Sequence, residues 1–475
     1  MQYRPKRTQF AGRLPVGAAV ALLVLTASSA PVVAQEPDAG TTDERLAALE
    51  KEVAALRAQV DSTGAVDAAE VQRQLEAISR EIEALKLGQD VVVTVEERGR
   101  FGMGPAASKV YQVQQGVSLG GYGEMLYENF AGQRQDGTPA GKTDQLDFLR
   151  AVVYLGYKFN DQILFNSEVE YEHASTAGAG SVSIEFAYLD FFVSTAVGVR
   201  AGLVLIPMGF INEQHEPNTF LGTTRPETDR RIIPTTWREN GAGIFGQAGP
   251  LEFRAYVING LDAVAGGSSG ASGFTAQGLR GGRQRGSKAV AEDLAAVARL
   301  DYVSLAGLLA GTSVYLGNSG QGSAVPANPT ATIGALTAIW EGHAQFRARG
   351  FDLRALGTLG WVDDVRALNA AQGFSGNESI GERMYGAYVQ LGYDVLRRVA
   401  TPSRLLPYLR LERINTQSQV PAGFESNPAN DETIVTLGAQ WLPIRQVVVK
   451  ADYQFRSDEA DQGVNQFNLA LGYVF

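Results

Sequence analysis

From residue 117 to the end of the chain, apolar and polar residues alternate with period two between turn signals, the pattern of strands with one greasy and one wet face. The clearest run sets Val447, Val449, Ala451, Tyr453 and Phe455 against Lys450, Asp452, Gln454 and Arg456. The same split sets Leu149, Ala151, Val153, Leu155, Tyr157 and Phe159 against Arg150 and Lys158, and Ile163, Phe165, Val169 and Tyr171 against Asn166, Glu168, Glu170 and Glu172. Ala338, Trp340, Ala344 and Phe346 likewise oppose Glu341, His343, Gln345 and Arg347. Cutting at the turn signals predicts sixteen strands: 117–130, 144–159, 162–173, 181–193, 197–206, 240–249, 251–260, 294–305, 307–318, 334–349, 351–362, 381–397, 403–416, 431–442, 445–457 and 464–475. A soluble sandwich alternates too, so the period alone leaves open which face is outside.

Three features favour a transmembrane barrel. Odd-numbered links tend to be long, while most even-numbered ones are tight turns such as Asn160-Asp161, Gly249-Pro250 and Arg349-Gly350, the asymmetry of bacterial outer-membrane barrels. Aromatic residues gather near strand ends, at Tyr157, Phe159, Trp361, Trp441 and Tyr473, where headgroups would lie. The final strand puts Phe467, Leu469, Leu471, Tyr473 and the terminal Phe475 on one face, like the C-terminal signal of outer-membrane proteins. Beyond the leader no stretch reaches 18 uninterrupted apolar residues, so a membrane crossing has to be made by a closed barrel.

Upstream the period is helical. Leu46, Leu49, Val53, Leu56 and Val60 form a heptad seam, which breaks at Asp61 to Val66 and restarts with Val71, Leu75, Ile78, Ile82 and Leu85. The pairs Glu52–Arg57 and Glu81–Lys86 occupy g and the following e positions, which suits parallel, in-register helices. Ahead of this lie a basic start, an apolar run from Leu14 to Leu25 and the small-residue pattern Val32-Val33-Ala34, so cleavage is expected after Ala34. The predicted organisation is a signal peptide (1–34), a periplasmic coiled coil (35–87), a linker (88–116) with one short strand at Val91 to Val95, and a barrel (117–475). The fold class is thus an all-β transmembrane barrel of sixteen antiparallel strands, preceded by a short α-helical coiled coil.

Composition narrows the chemistry. Of 475 residues 45% are hydrophobic and 19% charged, and the mean hydropathy of -0.08 argues against a polytopic helical membrane protein. The 41 basic and 51 acidic residues give a net charge of -10. Arg4, Lys6, Arg7 and Arg13 belong to the leader, so the mature chain is more acidic still and lacks the basic footprint of a nucleic-acid binder. The absence of cysteine removes disulfides, thiolate metal sites and a lipoprotein anchor.

Sixteen strands enclose an aqueous lumen, where about eight would be filled by side chains. Two links are long enough to fold inward, Pro207 to Glu239 and Leu261 to Asp293. The first carries Arg225, Arg230, Arg231 and Arg238 among Glu213, Glu216, Glu227, Asp229 and Glu239; the second carries Arg280, Arg283, Arg285 and Lys288. Strand parity also points Arg150, Lys158, Arg200, Arg254, Arg299, Arg347, Arg354, Lys450 and Arg456 inward. The expected anion path comprises Arg225, Arg230, Arg231, Arg238, Arg150, Arg200, Arg254, Arg354 and Lys450, with Glu168, Glu170, Glu172, Asp301 and Asp352 on the same faces. Enzyme motifs fall away. Gly266-Gly267-Ser268-Ser269-Gly270 lacks the strand-to-helix context of a nucleophile elbow. Gly241 to Gly246 opens a strand where a dinucleotide fingerprint needs a helix. Glu172 and His173 alternate to opposite faces, so with Glu170 they make no metal site.

The segments GGYGE from Gly120, EFAYLDF from Glu185, PMGFINE from Pro207, RPE from Arg225 and IPTTWRENG from Ile233 resemble porins of the phosphate-selective O and P family, over most of residues 117 to 475. That resemblance implies a trimeric sixteen-stranded channel in the Gram-negative outer membrane, with the coiled coil in the periplasm. Family members named for phosphate line the pore with arginine and lysine. The expectation is passive diffusion of small hydrophilic solutes with an anion preference, phosphate or small organic anions, and no enzyme activity, cofactor or metal. Expected partners are outer-membrane lipids, small anionic or polar solutes, further copies of the chain in a homotrimer, and the cell wall through the coiled coil. The competing readings are an unselective or carbohydrate porin and a non-conducting tether from outer membrane to cell wall.

Overall fold

A computed structural model describes Lys51 and residues 99–266, 269–303, 305 and 307–475. The leader, the coiled coil apart from Lys51, and the strand expected at Val91 to Val95 lie outside the described residues. In the unit Val95–Phe475, sixteen strands close into one barrel and a further short pair lies apart from it. In chain order these are β1 (Gly116–Phe130), β2 (Gln145–Lys158), β3 (Ile163–Glu172), β4 (Ser181–Phe192), β5 (Val197–Leu205), β6 (Arg238–Ala248), β7 (Leu251–Asn259), β8 (Leu294–Tyr302) and β9 (Leu308–Asn318). There follow β10 (Ala324–Val325), β11 (Asn328–Thr332), β12 (Leu336–Ala348), β13 (Phe351–Val362), β14 (Arg383–Tyr393), β15 (Arg404–Gln419), β16 (Asp431–Ile444), β17 (Val447–Asp458) and β18 (Gln466–Val474). Two short helices interrupt the links, α1 (Glu227–Arg231) and α2 (Val365–Gln372).

Each barrel strand pairs antiparallel with its neighbours, and β1 closes on β18 with Tyr122 opposite Val474 and Phe130 opposite Gln466. Closure leaves no sheet edge exposed. The sixteen barrel strands match the predicted segments one for one, with ends moved by a few residues; the hairpin β10–β11 and helix α2 sit in stretches expected to be plain links. The sidedness is now settled. On β17 Phe455 is exposed on the outer face, whereas Lys450, Asp452 and Gln454 are buried within. Val117, Leu119, Val153, Leu155, Trp340, Phe346 and Leu411 are likewise exposed, and together such residues give the barrel an apolar outer surface. A sandwich would have the opposite arrangement.

Two bulges alter the expected parity. In the β1–β2 pairing the register steps from Glu124 opposite Arg150 to Leu126 opposite Asp147. The extra residue on β2 swaps the faces beyond it, so Phe148 is exposed outside and Leu149, expected on the apolar outer face, lines the lumen instead. In the β3–β4 pairing a step between Glu168 opposite Phe186 and Val169 opposite Ile184 turns Glu185 inward to Arg238.

All the long links leave one end of the barrel and the short ones the other; the ten-residue link between β14 and β15 is the exception among the short turns. The chain enters β1 at the short-turn end. The segment just before it, within the stretch expected to be a connector, is packed inside the barrel: Met103, Ala106, Ala107, Val110 and Tyr111 join the same buried cluster as Tyr122, Tyr188, Ile206, Trp237 and Phe274.

Candidate functional site

The link between β5 and β6 folds into the lumen and traverses its length. From Leu205 it descends past Arg299, which donates to the Gly209 carbonyl, and past Arg254, 3.6 Å from Glu213. It reaches the short-turn end at Asn218, whose amide donates to the Arg445 carbonyl at 3.3 Å. It then climbs the inner face of β17. Lys450 Nζ donates to the carbonyls of Phe220 and Gly222 at 3.0 and 2.9 Å; the Thr223 N–H and hydroxyl donate to Asp452; Gln454 donates to Thr224 Oγ1; and Arg456 donates to Glu227. The alternation that made Lys450, Asp452, Gln454 and Arg456 one polar face is therefore a docking ladder for the link, and α1 beyond it packs toward β14 and β15 with Arg231 paired to Glu432 on β16.

Close approach requires small wall residues. A Cβ on Gly472 would lie 2.6 Å from Pro217, and Gly222 holds φ +94°, a left-handed conformation costly for other residues. Leu221 packs outward against Leu406, Tyr408, Leu442 and Val448.

The N-terminal segment fills the short-turn end beside β2 to β6. The N–H groups of Ala106 and Ala107 donate to Glu216 Oε1 at 2.9 and 3.1 Å, Asn166 donates to the Ala107 carbonyl, and the Tyr111 hydroxyl donates to Asp190 at 2.7 Å. Burial pushes the Glu216 carboxyl up to about 7, the two amide bonds offsetting it only in part. Burial pulls His215 down, but attraction and a hydrogen bond from Glu168 more than offset it and hold His215 above its ordinary value. Both raised values give one sign. The folded chain retains protons that the unfolded chain releases, so their contribution to stability is full below pH ~4.5 and is lost as pH rises through about 7. The urea midpoint of the folded chain in detergent is expected to be lower at pH 8 than at pH 5. Glu216→Gln should flatten that dependence.

Two larger cavities stand out among the described residues. The upper one, about 480 Å³ at the long-link end, is lined by Arg150, Arg225, Arg230, Arg280, Arg456 and Lys142, with Glu124, Glu128, Glu227, Glu432 and Asp458. The lower one, about 260 Å³ at the short-turn end, is lined by five arginines, Arg347, Arg349, Arg354, Arg404 and Arg445, against one acid, Asp352.

Of the expected path residues, Arg150, Arg225 and Arg230 line the upper cavity and Arg354 the lower. Arg150 is paired with Glu124 and Glu170, Arg230 with Glu227, and Arg354 with Asp352. Arg225 forms no ion pair among the described residues; burial and then the neighbouring Arg150 depress its pKa. Arg280, from the second link, has a buried Nη1 without a hydrogen-bond partner and is lowered to about 9 by burial and by Arg225, Arg230, Arg285 and Arg150. The remaining five lie off the cavities. Arg200 pairs with Asp190 at 2.8 Å beneath the N-terminal segment; Arg231 pairs with Glu432, and Arg238 with Glu185; Arg254 pairs with Glu252 and Asp301; and Lys450 holds the link. Arg254 borders only a pocket of about 30 Å³. Sequence reasoning missed Arg349, Arg404 and Arg445, although basic residues clustered at the tight-turn ends were a readable signal. Nothing in the pattern marked Tyr111 or Glu216. Ser268 lies outside the described residues, and those residues hold no cluster of metal-binding type.

Fold and lumen define a class, a closed sixteen-stranded antiparallel barrel with an apolar outside, a polar interior and an inserted plug. The chain belongs to the family of an uncharacterized protein of Aquifex aeolicus, to which it is 35% identical over 399 residues, 82% of this chain and 87% of that one. No family model matches the chain. Solved structures similar to it include Salmonella typhi OmpF in complex with daunomycin (12% identity, TM-score 0.48, 76% of this chain and 98% of that one). Pseudomonas putida OprB (10%, 0.48, 78% and 96%) and an anion-selective porin from Comamonas acidovorans (11%, 0.45, 76% and 99%) are similar too.

Proposed function

We propose that this protein is an outer-membrane porin for passive diffusion of small hydrophilic solutes, with a preference for anions. The apolar exterior matches a lipid environment, and the long-link and short-turn ends match the external and periplasmic sides of such barrels. The phosphate-selective resemblance supports phosphate or small organic anions as solutes and a homotrimer as the assembly, with the coiled coil in the periplasm.

The observation that carries the anion preference is the pair Arg225 and Arg280, two cationic side chains in the upper cavity without ion pairs among the described residues. A charge about 4 Å from an ion contributes between ~1 kcal/mol in water and ~4 kcal/mol at an effective dielectric of 20. Paired arginines present far less net field. Reversal potentials across a planar bilayer with asymmetric KCl should show chloride favoured over potassium. Arg225→Ala with Arg280→Ala should cut the permeability ratio about fivefold, the equivalent of ~1 kcal/mol. A cation preference in the unaltered chain would sink the reading.

A second reading, a tether with a closed lumen, is favoured by the depth of the plug and the burial of Phe220. It expects no conductance from folded protein.

A further inference from the structure

Phe220 is the only residue that lines both cavities among those described. Its backbone cannot swing aside easily. Thr219 O accepts from Arg354 on β13 at 2.8 Å, Phe220 O and Gly222 O accept from Lys450 on β17, and Thr223 is held by Asp452. Leu221 packs into the wall, whereas Phe220 borders the open space on both sides, with Lys450 Nζ 3.8 Å from its ring centroid. The ring is 4% exposed. In the register row of Lys450, the next lumen-facing residues are Ala470 and Leu126, and all three are buried. Open space therefore lies on either side of Phe220, in the two cavities that it borders.

We propose that Phe220 is the septum between the two arginine-rich vestibules and the residue that limits conduction. This rests on the channel reading above. The septum is an aromatic ring backed by Lys450, so it restricts by size. Selectivity and throughput then reside in different residues, the first in the arginines of the vestibules and the second in Phe220.

The test is single-channel recording from the full chain refolded into planar bilayers. Phe220→Ala is expected to join the vestibules and raise conductance several-fold, with anion preference retained. Phe220→Leu and Phe220→Trp bracket it, and the order Ala, Leu, Phe, Trp is expected from highest to lowest, so failure of one variant to fold leaves the series readable. Conductance from the unaltered chain that is unchanged across the series would overturn the septum while leaving the channel standing. Silence from the unaltered chain together with current through Phe220→Ala would support it, whereas silence from every folded variant would remove both readings.

Discussion

Replacing residues 210–235 by a short glycine–serine loop is expected to leave a folded barrel whose conductance exceeds that of the intact chain by about an order of magnitude, since sixteen strands alone enclose an aqueous channel. The strand ladders do not pass through the link, so closure between β1 and β18 survives its removal. The wall groups that hold the link, Lys450, Asp452, Gln454, Arg456 and Glu412, lose their partners but gain water in the same step. Hydrated charges carry little of the penalty that unpaired buried ones do. Unchanged conductance together with intact folding would mean that the link does not occlude the lumen. Anion preference should fall at the same time, because Arg225 and Arg230 leave with the link and Arg280 is exposed to screening.

The second large effect falls on stability. Asp190→Ala is expected to cost about 3–5 kcal/mol, because it strands the buried Arg200 guanidinium. Asp190 accepts from Arg200 Nε at 2.8 Å and Nη2 at 3.0 Å and from the Tyr111 hydroxyl at 2.7 Å, so one carboxylate ties two wall strands to the N-terminal segment. Tyr188 and Phe245 stack against the guanidinium, with ring centroids 4.0 and 4.7 Å from it, and cannot accept its hydrogen bonds. Removing both charges, with Asp190→Leu and Arg200→Met, should recover most of the loss, since the expense lies in the uncompensated ion. Urea midpoints in detergent, compared across the single and double variants, check this. Equal losses in both would place the cost in packing instead.

The N-terminal segment and the β5–β6 link meet at Glu216, which makes the plug a single bonded assembly from two distant parts of the chain. The chain that enters the barrel floor is thus coupled to the link that bears Phe220. The Phe220 backbone is held separately, by Lys450, Arg354 and Asp452.

Much of this architecture was readable in the residues. Alternation with period two fixed the barrel strands and the inward direction of Arg150, Arg200, Arg254, Arg354 and Lys450, because in a strand the face a side chain takes is a local property of the pleat. It failed at Leu149, where a bulge of one residue reversed the faces, and a bulge is decided by how two strands meet. Arginines in the long links were visible as candidates, but their states were not. Whether a guanidinium lines a cavity, as Arg225 does, or meets a carboxylate, as Arg231 meets Glu432, depends on partners some 200 positions away.

By itself the sequence determined the period, the strand count and the split of polar from apolar faces along most of each strand, since these follow from short-range geometry and from the need to satisfy every backbone group. Only the tertiary structure decided that residues 99–112 and the β5–β6 link occupy the lumen, that the polar face of β17 is a ladder for that link rather than an open pore wall, and that the two cavities meet at Phe220. The physical reason is common to all three. A polar side chain facing inward gains as much from a carbonyl or carboxylate as from water, and the identity of its partner is set by long-range packing that leaves no periodic mark.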